Sequence, residues 1–507
     1  MRAKDSSKRI SNITSVILLA VSVLTVIYIG CFTAGDDIWY DEVFSMGFIR
    51  GSLKDIVSLT ARDVHPPLYY IWLKAVTTLA TGIAGSRCLI PAAKIASMLP
   101  WIGVFAMALT YIRKKYGLDT ACFYIFLMTV MPQLATYYVE IRMYSLGLML
   151  LTAAVLTADR ILDDKQGAGI PLWGLFCVLG ILTAYTQYYA CIGIAGIYAA
   201  MLIIFMIKGG ESRKNAVKLI ACALVSAVAY LPWLPVLKSQ MGNISGNYWI
   251  QPLTLRSIPG CIKFIVLPVA EVDKIPYILA GILVIAIGAT LMMFVMRRDK
   301  DGRSEVILYI SPLVFIVGSG FVLSLLGTPI FVYRYMIPAL GGLYLALAVM
   351  ANKALKGRKM LLLLIPCIAV GIMTIYGFRG EEGKKVVQME HAKEVLASIP
   401  NDSAIVANFD HVASVMGYYE PCDEVYLYDG EVDGLITTMY DSVSDSLDDE
   451  GVYKLVQSGK PVFFFGSFNS REDIVDNWTG MGMDCELTDS MLIERYWINV
   501  YRLTVRQ

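Results

Sequence analysis

The sequence DDIWYDE at residues 36–42 follows an apolar run at residues 13–32, and DVHPPLYY follows it at residues 63–70. The apolar run reaches the roughly 20 residues that a helix needs to cross a bilayer. Basic residues precede the run and no small-residue cleavage site follows it. We therefore expect an uncleaved first membrane helix with its basic end in the cytoplasm, and an acidic, aromatic loop on the outer side.

Further apolar runs predict a polytopic α-helical membrane protein. Hydrophobic residues make up 57% of the 507 positions, and the mean hydropathy is +0.60. Both values are typical of a chain with many membrane spans. The predicted spans are eleven, at residues 13–32, 89–112, 120–139, 144–161, 171–187, 189–207, 216–237, 275–296, 305–326, 335–351 and 360–378.

The charges divide the chain into two parts. Residues 380–507 contain 24 acidic and 9 basic residues, whereas residues 1–379 contain 18 acidic and 34 basic residues. We expect a membrane module at 1–379, with 34–88 as its first outer loop, and a soluble domain at 380–507. In the second part β-rich runs alternate with helical segments, which predicts a small α/β domain with a largely parallel sheet. The acidic tail gives no reason to expect a nucleic-acid partner.

Basic residues fall on alternate connecting loops, on the same side as the N-terminus. Because such loops collect in the cytoplasm, this pattern predicts a plasma-membrane protein with a cytoplasmic N-terminus and an outer C-terminal domain. Residues 67–84 are apolar enough for another span, but a crossing there would invert the later basic loops. We expect a helix at the outer membrane surface instead.

The ten cysteines show no zinc-site spacing. Cys422 and Cys485 share the C-terminal domain, where a disulfide could form if the domain is outside the cell. The alternative is a pair of free thiols.

Four groups of residues could carry chemistry. Asp41 and Glu42 leave the membrane together, and carboxylates there could accept a proton from a hydroxyl or hold a divalent metal ion. The alternative is a pair of solvated acids at a helix end. His65 precedes two prolines that begin a helix, which aims the imidazole and the helix N-terminus at one place suited to an anion.

Two arginines are predicted on the outer side. Arg142 could bind a phosphate in fork geometry, with Glu140 orienting it, or the two could form a structural ion pair. Arg334 lies between two tyrosines, so it could bind the same anion or extend to the membrane interface as an anchor.

Together these segments resemble the GT-C membrane glycosyltransferases, in particular family 39, which includes the protein O-mannosyltransferases and the lipid A aminoarabinose transferases. The resemblance covers most of residues 10–345. Its motifs are WYDE at 39–42, DVHPPLYY at 63–70, EIRMY at 140–144 and YRY at 333–335.

The resemblance implies transfer of a sugar from a polyprenyl-phosphate carrier to a glycan, lipid or protein acceptor on the outer membrane face, with inversion. Asp41 matches the family's acidic position, the general base or acceptor-orienting group, and Glu42 is its companion. His65, Arg142 and Arg334 would neutralise the departing phosphate. The supporting residues in the same motifs are Asp63, Tyr69, Glu140 and Tyr144. No cofactor is implied with certainty, and a divalent metal ion is the one candidate.

The chain departs from the family at Gln187, where many relatives have a histidine, which puts a metal or proton role there in doubt. The acidic tail also differs from the recognition repeats of the eukaryotic protein mannosyltransferases. Two other classes of function remain open at this point: a transporter or lipid flippase, and a scaffold without activity. Against transport, the sequence shows no inverted repeat and its charges collect at one membrane face.

Overall fold

The computed structural model describes residues 2–33, 35, 38–164, 168–209, 212–243, 250–355, 357–432, 434–440, 442–468, 470–493 and 496–506. Asp36 and Asp37 of the first outer loop, and the basic-loop residues Lys165 and Lys356, lie outside the described residues. The chain divides into two compact units. We name them the membrane unit, Met1–Ala34 with Thr60–Gly380, and the α/β unit, Gly35–Leu59 with Glu381–Gln507.

Helices make up the described part of the chain up to residue 397. In chain order they are α1 (Arg2–Phe32), α2 (Tyr40–Phe48), α3 (Leu53–Arg62), α4 (Leu68–Ala84), α5 (Leu89–Met107), α6 (Arg113–Tyr116), α7 (Leu118–Val130), α8 (Leu134–Val139), α9 (Tyr144–Asp163), α10 (Ile170–Ala184), α11 (Tyr188–Lys208), α12 (Ser212–Tyr230), α13 (Leu234–Asn243), α14 (Ser257–Val266), α15 (Ile275–Met296), α16 (Lys300–Leu326), α17 (Ile337–Ala354) and α18 (Leu361–Ala397).

Nine helical segments in the described residues are long and apolar enough to cross a membrane. They coincide with nine of the eleven predicted spans. The other two predicted spans fall on the shorter apolar helices α7 and α10. The helix α4, which we expected at the membrane surface, has 17 residues and is not among the nine. The prediction of a polytopic helical membrane protein is thus confirmed.

The predicted span at 120–139 is wrong as a single helix. It breaks between α7 and α8, where Pro132 lacks the N–H that a helix interior requires and Gln133 has a φ of 71°. A left-handed φ is uncommon for a residue other than glycine. After α8 the chain turns again before α9, and Glu140 and Arg142 lie in that turn.

The helices α9 and α17 form the centre of the membrane unit. In the most apolar 18-residue stretch of each helical segment, 78% of the residues are buried for α9 and 89% for α17. The corresponding share is 11% for the segment Arg213–Gly242, which includes most of α12. Small residues allow the close approach, as is usual between membrane helices. A Cβ atom at Gly342 of α17 would collide with the backbone carbonyl of Tyr309 in α16.

The α/β unit contains a six-stranded sheet in the order β3-β2-β1-β4-β6-β5. Its strands are β1 (Ala404–Ala407), β2 (Glu424–Tyr428), β3 (Val443–Leu447), β4 (Val462–Ser467), β5 (Met483–Ile493) and β6 (Tyr496–Val505), and its further helices are α19 (Asp410–Tyr419), α20 (Gly434–Met439), α21 (Asp449–Gln457) and α22 (Ser470–Gly480).

The first four strands pair in parallel, and β6 and β5 join as antiparallel strands. This confirms the predicted α/β domain with a largely parallel sheet. The sequence reasoning missed β3 and β5, whose exposed and polar residues hide the alternation of a strand. The helix α18 continues from the last apolar span to Ala397 without a break, so the first helical segment of the C-terminal part is the end of that helix.

Residues 35–59 pack within the α/β unit. The Tyr440 hydroxyl donates a hydrogen bond to the backbone carbonyl of Val43, and Arg50 lies 3.5 Å from the Glu420 carboxylate. Residues 35–59 of the first loop therefore belong to the same compact unit as the C-terminal domain. In this unit Cys422 and Cys485 are free thiols, so the disulfide considered above is absent.

Candidate active site

A buried arginine–histidine pair lies in the membrane unit. The Arg142 guanidinium is 2.8 Å from Nε2 of His65, and the two residues are 5% and 7% exposed. The turn between α8 and α9 positions Arg142, and its backbone N–H donates to the Glu140 carbonyl at 2.7 Å. The two prolines that precede α4 place His65 just before that helix.

The pair fixes the protonation of the imidazole. A guanidinium can only donate, so Nε2 of His65 must accept and the ring proton must lie on Nδ1. Burial lowers the pKa of His65 well below its usual value, and the charges of Arg142 and Arg334 lower it further. The ring is therefore neutral, with an Nδ1–H donor. Among the described residues, Nδ1 has no hydrogen-bond partner.

The starts of several helices converge on this pair. The Tyr144 phenol, at the first residue of α9, lies in the fields of Arg142, Glu140 and Arg334. Arg334 precedes α17 by three residues. Leu68, the first residue of α4, donates its backbone N–H to the Tyr185 carbonyl at 3.1 Å. Tyr185 lies three residues before the start of α11. Since each helix N-terminus carries partial positive charge, four of them and two guanidiniums favour an anion here.

Gln187 is a buried polar residue to which the sequence analysis gave no role. It lies at the residue before α11 and is 2% exposed. Neither its Oε1 nor its Nε2 has a hydrogen-bond partner within the described part of the chain, and the same holds for the Tyr144 hydroxyl. Such buried polar atoms usually have partners. The signal in the sequence was the position of Gln187 in an aromatic turn.

The remaining predicted support residues differ in their surroundings. Glu140 is buried, and its charge acts together with that of Arg142 on the Tyr144 phenol. Asp63 is partly exposed and lies close enough to the Tyr188 phenol to interact electrostatically. Tyr69 is buried with its hydroxyl 2.8 Å from the Ser97 hydroxyl, where it links α4 to α5.

Asp41 and Glu42 belong to the α/β unit, in the first turn of α2. The Glu42 carboxylate accepts a hydrogen bond from the backbone N–H of Trp39 at 3.1 Å and is buried. It thus occupies the position of an acidic cap at a helix start. Asp41 is partly exposed, and its charge acts on His411 of α19.

His411 was not predicted from the sequence. Its ring stacks on Tyr40 with 3.6 Å between the ring centroids, and its Nδ1 is 2.6 Å from the Tyr496 hydroxyl. Burial lowers the pKa of His411, and the charges of Asp410 and Asp41 offset only part of that shift. A histidine in a separate domain, far along the chain, carries no local motif that could have indicated this contact.

Three acidic side chains form a cluster at the other end of α9. The carboxylates of Asp159, Asp163 and Glu305 lie within 4.8 Å of one another, an arrangement that could hold a metal ion. The Lys115 ammonium already contacts all three, at 2.7, 2.6 and 3.1 Å. A cation is thus supplied by the chain itself. The cluster lies about 20 Å along α9 from Tyr144, at 1.5 Å per residue.

Neither a protein-family model nor a curated protein matches the chain. Solved structures do. ArnT from Cupriavidus metallidurans in the apo state matches with a TM-score of 0.61 and 12% identity, covering 97% of both chains. The same protein bound to undecaprenyl phosphate matches with a TM-score of 0.61 and 12% identity, over 97% of this chain and 98% of that one.

The archaeal oligosaccharyltransferase AglB from Archaeoglobus fulgidus, in complex with an inhibitory peptide and a dolichol-phosphate, has a TM-score of 0.47 and 10% identity, over 90% of this chain and 69% of that one. The likeness to ArnT extends over nearly the whole chain and includes the C-terminal domain. It confirms the fold that the resemblance implied, a GT-C type helical membrane protein with a C-terminal α/β domain.

Proposed function

We propose that the protein is a membrane glycosyltransferase that moves a sugar from a polyprenyl-phosphate-linked donor to an acceptor, with inversion at the anomeric carbon. The observation that carries this function is the pair of Arg142 and neutral His65 at the converging helix starts. It provides positive charge and directed donors at the end of the membrane helices. The phosphate of a lipid carrier is an anion held at the same depth, with its chain in the bilayer.

The leaving group explains why such a site would accelerate the reaction. As the bond between the anomeric carbon and the phosphate oxygen breaks, its electron pair stays on that oxygen and the phosphate gains negative charge. Donors fixed where charge develops stabilise the transition state more than the ground state. In this proposal Arg142 and Arg334 supply charge, and Nδ1–H of His65 donates to a phosphate oxygen.

We assign Asp41 as the general base. An acceptor hydroxyl attacks the anomeric carbon from the face opposite the phosphate, and its proton passes to the Asp41 carboxylate. Asp41 is supported by its place in the WYDE motif and by its partial exposure. Glu42 has a companion role in which it holds the start of α2, because its carboxylate caps that helix.

A known complex agrees with this donor class. The ArnT structure with the same fold holds undecaprenyl phosphate. We propose a carrier of this chemical class for the present chain, with a cell-envelope glycan, lipid or protein as the acceptor. The low identity of 12% leaves the sugar and the acceptor to be found by experiment.

The site would face the outside of the cell. In the predicted topology the basic loops lie in the cytoplasm, so the turn with Arg142 and the loop with Asp41 emerge on the outer side. The packing of residues 35–59 within the α/β unit supports a common side for the first loop and the C-terminal domain. We therefore assign residues 1–379 to the transferase module and 380–507 to an outer domain.

A divalent metal ion would have to bind elsewhere than between Asp159, Asp163 and Glu305. Those carboxylates already contact the Lys115 ammonium, and they lie at the end of α9 far from Tyr144. Asp41 and Glu42 could provide oxygen ligands, but the Glu42 carboxylate is engaged in its helix cap. We assign no step of the reaction to a metal ion.

The test is turnover of a polyprenyl-phosphate sugar labelled in the sugar, with membranes that contain the full chain. We expect release of polyprenyl phosphate and transfer of the label to a membrane acceptor, both lost in Asp41→Asn. A flippase would move the labelled lipid across the membrane with the sugar still attached. A scaffold would do neither, and either result would contradict the proposed function.

A further inference from the structure

The carboxyl edge of the parallel sheet in the α/β unit has the features of a ligand or docking site. The strand β1 pairs in parallel with β2 on one side and with β4 on the other. At such a switch point the chain leaves neighbouring strands in opposite directions and opens a crevice at their carboxyl ends. The Asn408 side chain bridges the two strand ends, donating to the Ser467 carbonyl at 2.9 Å and accepting from its N–H at 2.8 Å.

Aromatic residues gather at this edge. Phe409 and His411 follow β1, and Phe468 follows β4 with a φ of 60°, a backbone conformation that bulky residues rarely adopt. The centroid of the Phe409 ring lies 4.5 Å from that of His411, 4.8 Å from that of Phe468 and 5.7 Å from that of Tyr496 in β6. Strain of this kind usually occurs where surrounding structure requires it.

The occupant of this edge is the first turn of α2. Tyr40 lies flat on His411, with an angle of 20° between the rings. On its other faces the imidazole is held by the Tyr496 hydroxyl and by Phe409. The residue after Tyr40 is Asp41, so the stack lies directly beside Asp41 in the chain.

We propose that His411 is a positioning residue, which holds Tyr40 by ring stacking and so fixes Asp41 for proton transfer. This inference rests on the proposed function. It gives the C-terminal domain a role in the reaction without direct contact of His411 with the donor.

Because α2 is short, it needs contacts with other elements to fix its orientation. It has nine residues, and isolated helices shorter than about 12 residues are marginal in water. The Glu42 cap satisfies one backbone donor but does not orient the helix. A displacement of about 1 Å at a catalytic group can lower the rate about 100-fold. The stack with His411 is therefore expected to act on kcat and to leave the binding of the lipid donor unchanged.

Three variants of the full chain test this role. His411→Ala removes the stack, and His411→Phe keeps an aromatic ring but loses the hydrogen bond to Tyr496. The control is His391→Ala, since His391 is half-exposed in the same unit and contacts β5, with its Nε2 3.0 Å from the Ser490 carbonyl. For each protein we would measure kcat, the donor KM and amide hydrogen exchange in residues 40–48.

We expect His411→Ala to lower kcat about 10- to 100-fold with an unchanged donor KM, and to speed exchange in residues 40–48. His411→Phe should restore most of kcat and slow the exchange again, and His391→Ala should match the wild type. A wild-type kcat in His411→Ala, or no recovery in His411→Phe, would overturn the inference. A wild-type protein without any turnover would overturn the proposed function instead, and the exchange data would still show whether His411 holds α2.

Discussion

Arg142 donates a hydrogen bond to Nε2 of His65 across 2.8 Å, although the two residues are 77 positions apart in the chain. The geometry determines three properties at once: the imidazole is neutral, its proton lies on Nδ1, and one end of the guanidinium is held in place. A neutral histidine beside two arginines preserves the positive charge for a ligand without adding a third cation. An anion with several oxygen acceptors fits such a site.

Substitution of Arg142 should separate charge from geometry. Arg142→Lys keeps the charge but loses the planar fork, so we expect a higher KM for the donor and a lower kcat/KM. Arg142→Ala should lower kcat/KM by about 10- to 100-fold, the value of a charge-assisted hydrogen bond. The control is Arg256→Ala, an exposed arginine. Equal kinetics for Arg142→Ala and Arg256→Ala would show that Arg142 does not bind the donor.

The neutral state of His65 should appear in the pH dependence of stability. Its pKa is lowered in the folded protein, so below about pH 6.5 the unfolded chain binds a proton that the folded chain does not. The free energy of unfolding should therefore fall as the pH drops, by up to about 1.4 kcal/mol per pH unit.

His65→Gln preserves an acceptor for Arg142 and a donor for a ligand, but it cannot titrate. We expect this variant to lose less stability than the wild type between about pH 6.5 and pH 5, as measured by thermal unfolding in detergent. His411, whose pKa is also lowered, keeps its own share of the effect in both proteins. The same pH slope in the two proteins would contradict a neutral, buried His65.

The sequence predicted the membrane architecture because the length of an apolar run indicates whether it can span the bilayer, and basic loops indicate which side they lie on. The alternation of basic loops separated the spans from the helix α4, and nine spans were found as long helices. The break at Pro132 was missed because the apolar run around it continues on both sides. Composition records how apolar a segment is, whereas the break depends on backbone geometry at Pro132 and Gln133.

The site was predictable only where its residues stand in local motifs. His65, Arg142 and Arg334 lie in short, distinctive sequences, and the structure brings them together at the helix starts. The pairing of His65 with Arg142 and the contact of Tyr40 with His411 join distant parts of the chain. No periodicity in the sequence encodes such contacts, since they depend on tertiary packing.

Asp41 and Glu42 should respond differently to neutralisation. Asp41→Asn keeps the shape but cannot accept a proton, so we expect turnover to fall about 100- to 10,000-fold while the protein remains folded. Glu42→Gln keeps an oxygen that can accept from Trp39, and it should retain most of the turnover. Near-normal turnover in Asp41→Asn together with loss in Glu42→Gln would move the role of base to Glu42.

Accessibility of single cysteines tests the orientation. We would introduce cysteine at three exposed positions, Ser52, Gln457 and Lys359, in a parent that lacks the exposed Cys31. An impermeant reagent applied to intact cells should label the first two and should label Lys359→Cys only after lysis. Labelling of Lys359→Cys in intact cells would contradict a cytoplasmic position for the loop before α18.

The cluster around Lys115 should matter for stability and not for donor binding. Lys115→Met leaves Asp159, which is 1% exposed, without its ammonium partner. Breaking a buried ion pair on one side costs about 3–5 kcal/mol. We expect a lower unfolding temperature with an unchanged donor KM, and no loss of stability in the control Lys114→Met, whose side chain is exposed. A changed donor KM in Lys115→Met would link this cluster to the active site.

The most direct measurement compares the binding of undecaprenyl phosphate with that of undecaprenol, which has the same chain and no phosphate. Both lipids would be titrated into the purified full chain, as wild type, Arg142→Ala and Arg256→Ala. We expect the wild type and Arg256→Ala to prefer the phosphate by about 10-fold or more, and Arg142→Ala to lose that preference. Equal affinity of the wild type for the two lipids, or an undiminished preference in Arg142→Ala, would contradict a phosphate site at His65 and Arg142.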